Sequence, residues 1–134
     1  GNPNKNTALM EEVKKILGKV PVMGLGLGHL TGALAMGAKV VKQKYGHRGG
    51  NRPVICLADG RVYISTQNHG YEVVSASVQQ GKISYVNVND GSCEGIDYEE
   101  LNAFTVQFMP ESCIAGNTEN PVYNKFFAMM GKEN

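Results

Sequence analysis

Between Thr7 and Lys19 apolar residues recur at helical spacing, with Leu9, Val13, Ile16 and Leu17 set among charged positions. Glu11 and Glu12 come early, Lys14 and Lys15 late, and Gly18 offers a stop, so the stretch predicts an amphipathic helix. The short apolar run Val20 to Leu25 predicts a buried strand. Gly24, Gly26 and Gly28 punctuate its end, and a second helix is predicted from about His29 to Met36. Gly37 is placed to close that helix from the left-handed C′ position. Strand, glycine turn and helix make half of a βαβ unit.

From Lys39 onward the pattern changes to short β-like runs. Val54–Leu57 and Val62–Ser65 flank Asp59-Gly60, a strong hairpin signal. Ile83–Val88 and Cys93–Tyr98 flank Asn89-Asp90-Gly91 in the same way. A last apolar run, Phe104 to Phe108, stops at Pro110. Val122–Met130 predicts a terminal helix with Phe126, Phe127 and Met130 on its buried side; Phe104, Phe108, Phe126 and Phe127 read as core. No internal repeat interrupts this order. The class is α/β in a single domain over 1–134, with a partly parallel sheet.

A chain of 134 residues with 42% hydrophobic and 19% charged content can bury one core and is too short for two. A net charge of +1, with Lys14, Lys15, Lys39, Lys42, Lys44, Arg48 and Arg52 scattered, argues against a nucleic-acid binder. Cys56, Cys93 and Cys113 form neither a CxxC pair nor a Cys/His set at metal-ligand spacing, which argues against zinc. Their odd number suits a reducing compartment. No apolar run approaches the roughly 20 residues of a membrane span, and the first residues carry no signal-peptide pattern. The expectation is a cytoplasmic protein with no nucleic-acid or membrane partner, and no metal or other cofactor.

The glycine turn carries the candidate chemistry. A dinucleotide fingerprint needs Gly-x-Gly-x-x-Gly and an acidic residue about 20 positions on. Gly24-Leu25-Gly26-Leu27-Gly28-His29 breaks the third spacing, and Lys42, Lys44 and Tyr45 stand downstream instead of an acid. The other reading is a strand-to-helix elbow of the kind that presents nucleophiles in hydrolases. Its apex is Gly26, which has no side chain.

Pro21-Val22-Met23-Gly24-Leu25-Gly26-Leu27-Gly28-His29 resembles the P-[VI]-[FM]-G-I-C-L-G-H-Q stretch of class I glutamine amidotransferases. The resemblance continues through Gly46-His47-Arg48-Gly49-Gly50-Asn51-Arg52-Pro53-Val54 and Gln67-Asn68-His69-Gly70-Tyr71. It then runs through Val86–Gly91, Glu94-Gly95-Ile96 and Val106-Gln107-Phe108-Met109-Pro110-Glu111. The second and third blocks resemble the carbamoyl-phosphate synthetase small subunit in particular. The resemblance implies a flavodoxin-like three-layer sandwich with a mixed sheet. Gly1-Asn2-Pro3 resembles the end of the family's G-P-G-[DN]-P turn, so the domain is expected to be partial, incomplete at its N-terminus, with exposed edges.

Carried over residue by residue, the family's nucleophilic Cys falls on Gly26 and its catalytic His on Met109, while the orienting acid is retained as Glu111. The substrate-contacting Gln falls on Leu30. Gly1 and Leu27 match the oxyanion amides, and Asn68, Gly70 and Tyr71 match the segment along bound glutamine. Cys113, two residues beyond Glu111, reads as a plain thiol, and His29, His47 and His69 as hydrogen-bonding groups within glycine-rich turns. The implied reading is a degenerate glutaminase domain, a structural or regulatory module docking on a large synthetase subunit of arginine or pyrimidine synthesis. Its partner could also be the missing N-terminal portion or a second copy. Two other readings stay open: a glutamine-binding module, and an active amidotransferase altered at the Cys and His positions.

Overall fold

A computed structural model describes residue 5, residues 7–108 and residues 121–131; the side chains at 44–52, 66–69 and 121 lie outside that description. Helix α1 (Thr7–Ile16) leads to strand β1 (Val22–Leu25) and helix α2 (Leu27–Ala35). Strands β2 (Val40–Cys56), β3 (Val62–Val73), β4 (Lys82–Asn87), β5 (Cys93–Tyr98) and β6 (Ala103–Val106) follow, and helix α3 (Pro121–Gly131) comes last. The expected order of elements is present. Gly37 takes φ 86° directly after the α2 cap at Met36, the left-handed stop its position predicts. The first strand begins two residues later than expected: Val20 is 48% exposed and follows the turn that ends α1.

The six strands form one mixed sheet in the order β1-β6-β5-β3-β2-β4. Among the described residues only β1 and β6 pair in parallel, with Val22 opposite Ala103 and Leu25 opposite Val106; the other described pairs are antiparallel. Strand β5 also pairs with β4, so the pairings β2–β3, β3–β5, β5–β4 and β4–β2 close on themselves and the sheet curls there. Two turns of the same design build this curl. Cys56 N–H donates to Arg61 at 2.8 Å and Asn87 N–H to Ser92 at 2.9 Å. In each, an aspartate (Asp59, Asp90) accepts from the amide two residues on, which is why an Asp-Gly pair makes the turn.

The first two expected short runs, Val54–Leu57 and Val62–Ser65, belong to two long strands, β2 and β3, whereas the later runs are short strands as expected. The stretch from Gly46 to Pro53, for all its glycines and its proline, continues β2. Register shifts between Lys42 and His47, and between Gly49 and Arg52, take up Gly46 and Gly50, while Gly49 and Pro53 stay in register opposite Gln67 and Ile64.

The sheet lies between α2 and α3, and alternation along β1 and β6 sorts the core into two parts. Val22 and Ala103 join Leu30, Ala33, Ile96 and Tyr98 on the α2 side. Met23, Leu25, Phe104, Val106 and Phe108 join Val54, Tyr63, Tyr85, Val122 and Met129 on the α3 side. There Tyr85 meets Phe108 edge-on at 5.1 Å. Helix α3 is tied down further by a Lys125–Asp97 ion pair, with the Lys125 ammonium 4.8 Å above the Phe104 ring.

The face of α3 that packs differs from the expected one. Val122, Phe126 and Met129 turn inward, whereas Phe127 is 60% exposed and Met130 39%. Phe127 is therefore not a core residue. Both triplets, Val122/Phe126/Met129 and Tyr123/Phe127/Met130, have the same helical spacing and are largely apolar, so periodicity alone does not choose between them. Among the described residues, no helix is long and apolar enough to cross a membrane.

Candidate active site

One residue separates β1 from α2. Gly26 sits at φ 55°, ψ −110°, a sharp reversal that a residue with a Cβ adopts only under strain. Three backbone hydrogen bonds hold it there. Its N–H donates to the Val106 carbonyl at 3.0 Å, and its own carbonyl accepts from the amides of His29 (3.0 Å) and Leu30 (3.3 Å). The space outside the apex is open: a Cβ built on Gly26 meets no heavy atom within 4 Å among the described residues. A side chain at this position would meet none of the described residues as it leaves the elbow.

The turn is tight because Gly24 permits it. A Cβ on Gly24 would lie 2.8 Å from Thr105 Cγ2 and 3.1 Å from the carbonyl carbon and oxygen of Gly28. The start of α2 therefore rests directly on β1. Helix geometry leaves the first amides, those of Leu27 and Gly28, without an intrahelical acceptor, and places the positive end of the helix at the apex. The Leu27 side chain is half exposed beside it. Donors so arranged are what an oxyanion site requires.

Behind the elbow lies a buried polar layer. His29 Nδ1 and Thr105 Oγ1 are 2.8 Å apart, and both residues are buried. His29 thus bonds across from helix to strand and not within a glycine-rich turn, as the sequence suggests. Just past the end of β6, Gln107 N–H donates to the Glu94 carbonyl at 2.8 Å, and both of these residues are buried too. Nothing in composition or motif singles out Thr105. The alternation of β6, with Phe104 and Val106 on one face, was the available signal that Thr105 faces the other way.

Of the remaining expected site residues, Leu30 is buried in the α2-side core, and Tyr71 packs half-buried against the same cluster. Gly70 lies beside Tyr71 in β3. Asn68 pairs with Arg48 through the β2–β3 ladder and His69 with His47, while the side chains at these positions lie outside the described set. Gly1, Met109, Glu111 and Cys113 lie outside the described residues. The parallel register of Leu25 with Val106 sends the chain out of β6 at the end of the sheet where the elbow stands. Among the described residues no group of three or more His, Cys, Asp or Glu side chains is placed to hold a metal ion.

The family described as "Glutamine amidotransferase class-I" matches residues 1–129. The carbamoyl phosphate synthase pyrimidine-specific small chain of Bacillus subtilis is 42% identical over 130 residues, which are 97% of this chain and 36% of that protein. The chloroplastic carbamoyl phosphate synthase small chain of Arabidopsis thaliana is 40% identical over 131 residues, 97% of this chain and 30% of that one. The chain thus spans about a third of the length of these relatives. A glutamine amidotransferase from Thermotoga maritima superposes with a TM-score of 0.67 at 19% identity, covering 95% of this chain and 54% of that one. The glutamine amidotransferase of Methylobacillus flagellatus gives 0.69 at 14% identity, with 99% and 55% covered. These two likenesses establish the three-layer α/β fold with its mixed sheet.

Proposed function

The chain belongs to the class I glutamine amidotransferase family, and we propose that it is a domain like that of the carbamoyl-phosphate synthetase small chain which has lost glutamine hydrolysis. Its role in this reading is structural or regulatory, on a large synthetase subunit. The observation that carries the reading is Gly26: the backbone of a nucleophile elbow, φ 55° and ψ −110°, with no described residue within 4 Å of a Cβ there, and no nucleophile on it.

The chemistry fails in stages. Amide hydrolysis by this family needs a thiolate at the apex, a base to shuttle protons, and donors for the oxyanion. Gly26 offers no attacking atom. At the position of the family's His, Met109 has a thioether that neither takes nor gives a proton at neutral pH. Glu111, the orienting acid, is left with no imidazole to orient. The α2 amides remain, but loss of members of a catalytic unit costs on the order of 10⁴ to 10⁶ in rate. Leu30, buried among apolar neighbours, also weighs against a retained glutamine amide contact there.

Ammonia release from glutamine, followed by a coupled assay, tests the proposal. The purified chain is expected to release none above buffer, and Gly26→Cys with Met109→His to gain turnover. Release by the unaltered chain that survives stringent purification would overturn the reading. For the docking role, affinity capture from source extract followed by native mass determination is expected to recover a large synthetase-like subunit. Recovery of the chain alone or as a self-pair would remove it.

A further inference from the structure

The side chain that touches both arms of the elbow comes from neither arm. Thr105 belongs to β6, and its methyl carbon lies 2.8 Å from a Cβ built on Gly24 of β1 and 3.4 Å from one built on Gly32 of α2. The methyl therefore fills the notch where strand and helix come together. Its hydroxyl lies 2.8 Å from His29 Nδ1, in the first turn of α2. His29 is 0% exposed and Thr105 4%, so no water competes for this bond. The next residue, Val106, accepts the Gly26 amide. One short stretch of β6 thus grips the strand, the apex and the helix start.

Resting on the elbow reading above, we infer that Thr105 is a positioning residue. Its methyl sets the spacing of β1 and α2, and its hydroxyl, through His29, fixes how the first turn of α2 is rotated. That rotation aims the Leu27 and Gly28 amides at the apex, where a charge would develop. A core methyl in place of the hydroxyl would fill the same volume but leave the His29 nitrogen facing carbon. The helix start would then keep its backbone bonds to the Gly26 carbonyl but lose this side-chain tie to β6.

A thiol placed at the apex reads this geometry directly. In Gly26→Cys, the rate of iodoacetamide alkylation at residue 26 is measured against pH by peptide mass analysis. Donors at a helix start lower a thiol from its usual value of about 8.5, so the midpoint is expected below that. Thr105→Ser and Thr105→Ala are then compared in this background, since both lack the methyl and differ only in the hydroxyl. T105S is expected to keep the G26C midpoint, and T105A to raise it by about half a pH unit or more, with folding checked by circular dichroism. A folded T105A with the same midpoint as T105S would overturn the inference. Should T105A not fold, His29→Leu removes the same bond from the helix side and carries the comparison. A thiol that titrates at its ordinary value with Thr105 intact would instead count against the elbow reading itself.

Discussion

Gly24 stands so close to Gly28 that a methyl group on it would lie 3.1 Å from the Gly28 carbonyl carbon and oxygen, both rigid backbone. Two positions on, a Cβ on Gly26 meets none of the described residues, and only the backbone angle is unusual. Gly24→Ala is therefore expected to cost about 2–3 kcal/mol through overpacking, and Gly26→Ala about 1–2 kcal/mol through its positive φ. Urea unfolding of the two variants checks the order. A Gly26→Ala as damaging as Gly24→Ala would show that the apex is crowded.

Cys93 gives the fold a sensitivity to alkali. Burial pushes its thiol from 9.0 to about 12, with the Glu94 and Glu72 carboxylates adding to the effect. The unfolded chain sheds this proton near the ordinary value while the native one retains it. The stabilisation is complete below pH 9 and is lost as pH rises toward 12, at up to about 1.4 kcal/mol per unit. Buried Tyr98 shifts in the same direction. Urea midpoints are expected to fall between pH 8.5 and 10.5, and to fall less steeply in Cys93→Ala. At pH 8 the native chain should alkylate at half-buried Cys56 well before Cys93.

Lys125 and Asp97 fasten α3 to β5 at a site still open to solvent, with side-chain exposures of 40% and 20%. Their coupling in a double-mutant cycle with Lys125→Met and Asp97→Asn is expected at about 0.5 kcal/mol, falling in high salt. A coupling that ignores salt would mean the pair is shielded more deeply than its exposure indicates.

The orientation of α3 separates two neighbouring positions. Met129→Ala, at a buried site, is expected to cost about 2 kcal/mol or more. Phe127→Ser, at a residue 60% exposed, should stay within about 0.5 kcal/mol of the parent. Thermal unfolding decides between this face and the one rotated by a residue.

Much of this architecture is legible in the sequence where one local rule acts alone. The Asp59-Gly60 and Asp90-Gly91 turns, the stop at Gly37 and the glycine elbow each follow from a backbone requirement satisfied by one or two residues. What escapes such reading depends on partners far along the chain. Gly46, Gly49, Gly50 and Pro53 look like breakers, and the β3 ladder on either side of the two register shifts carries the strand through them. In α3 two apolar stripes compete, and the fit against Phe104 and Val106 selects one. In the site, the apex can be found from its glycines, whereas Thr105 gains its place only when β6 is laid beside β1.

That same pairing sets a schedule. The antiparallel ladders join segments close in sequence, and each turn can begin to close as soon as it is made. The parallel pair joins Val22 to Ala103, roughly eighty residues apart, and must bear the loop-closure entropy of everything between. On a ribosome the elbow would therefore emerge roughly eighty residues ahead of the strand that fixes it, and stay without its final shape until that strand arrives.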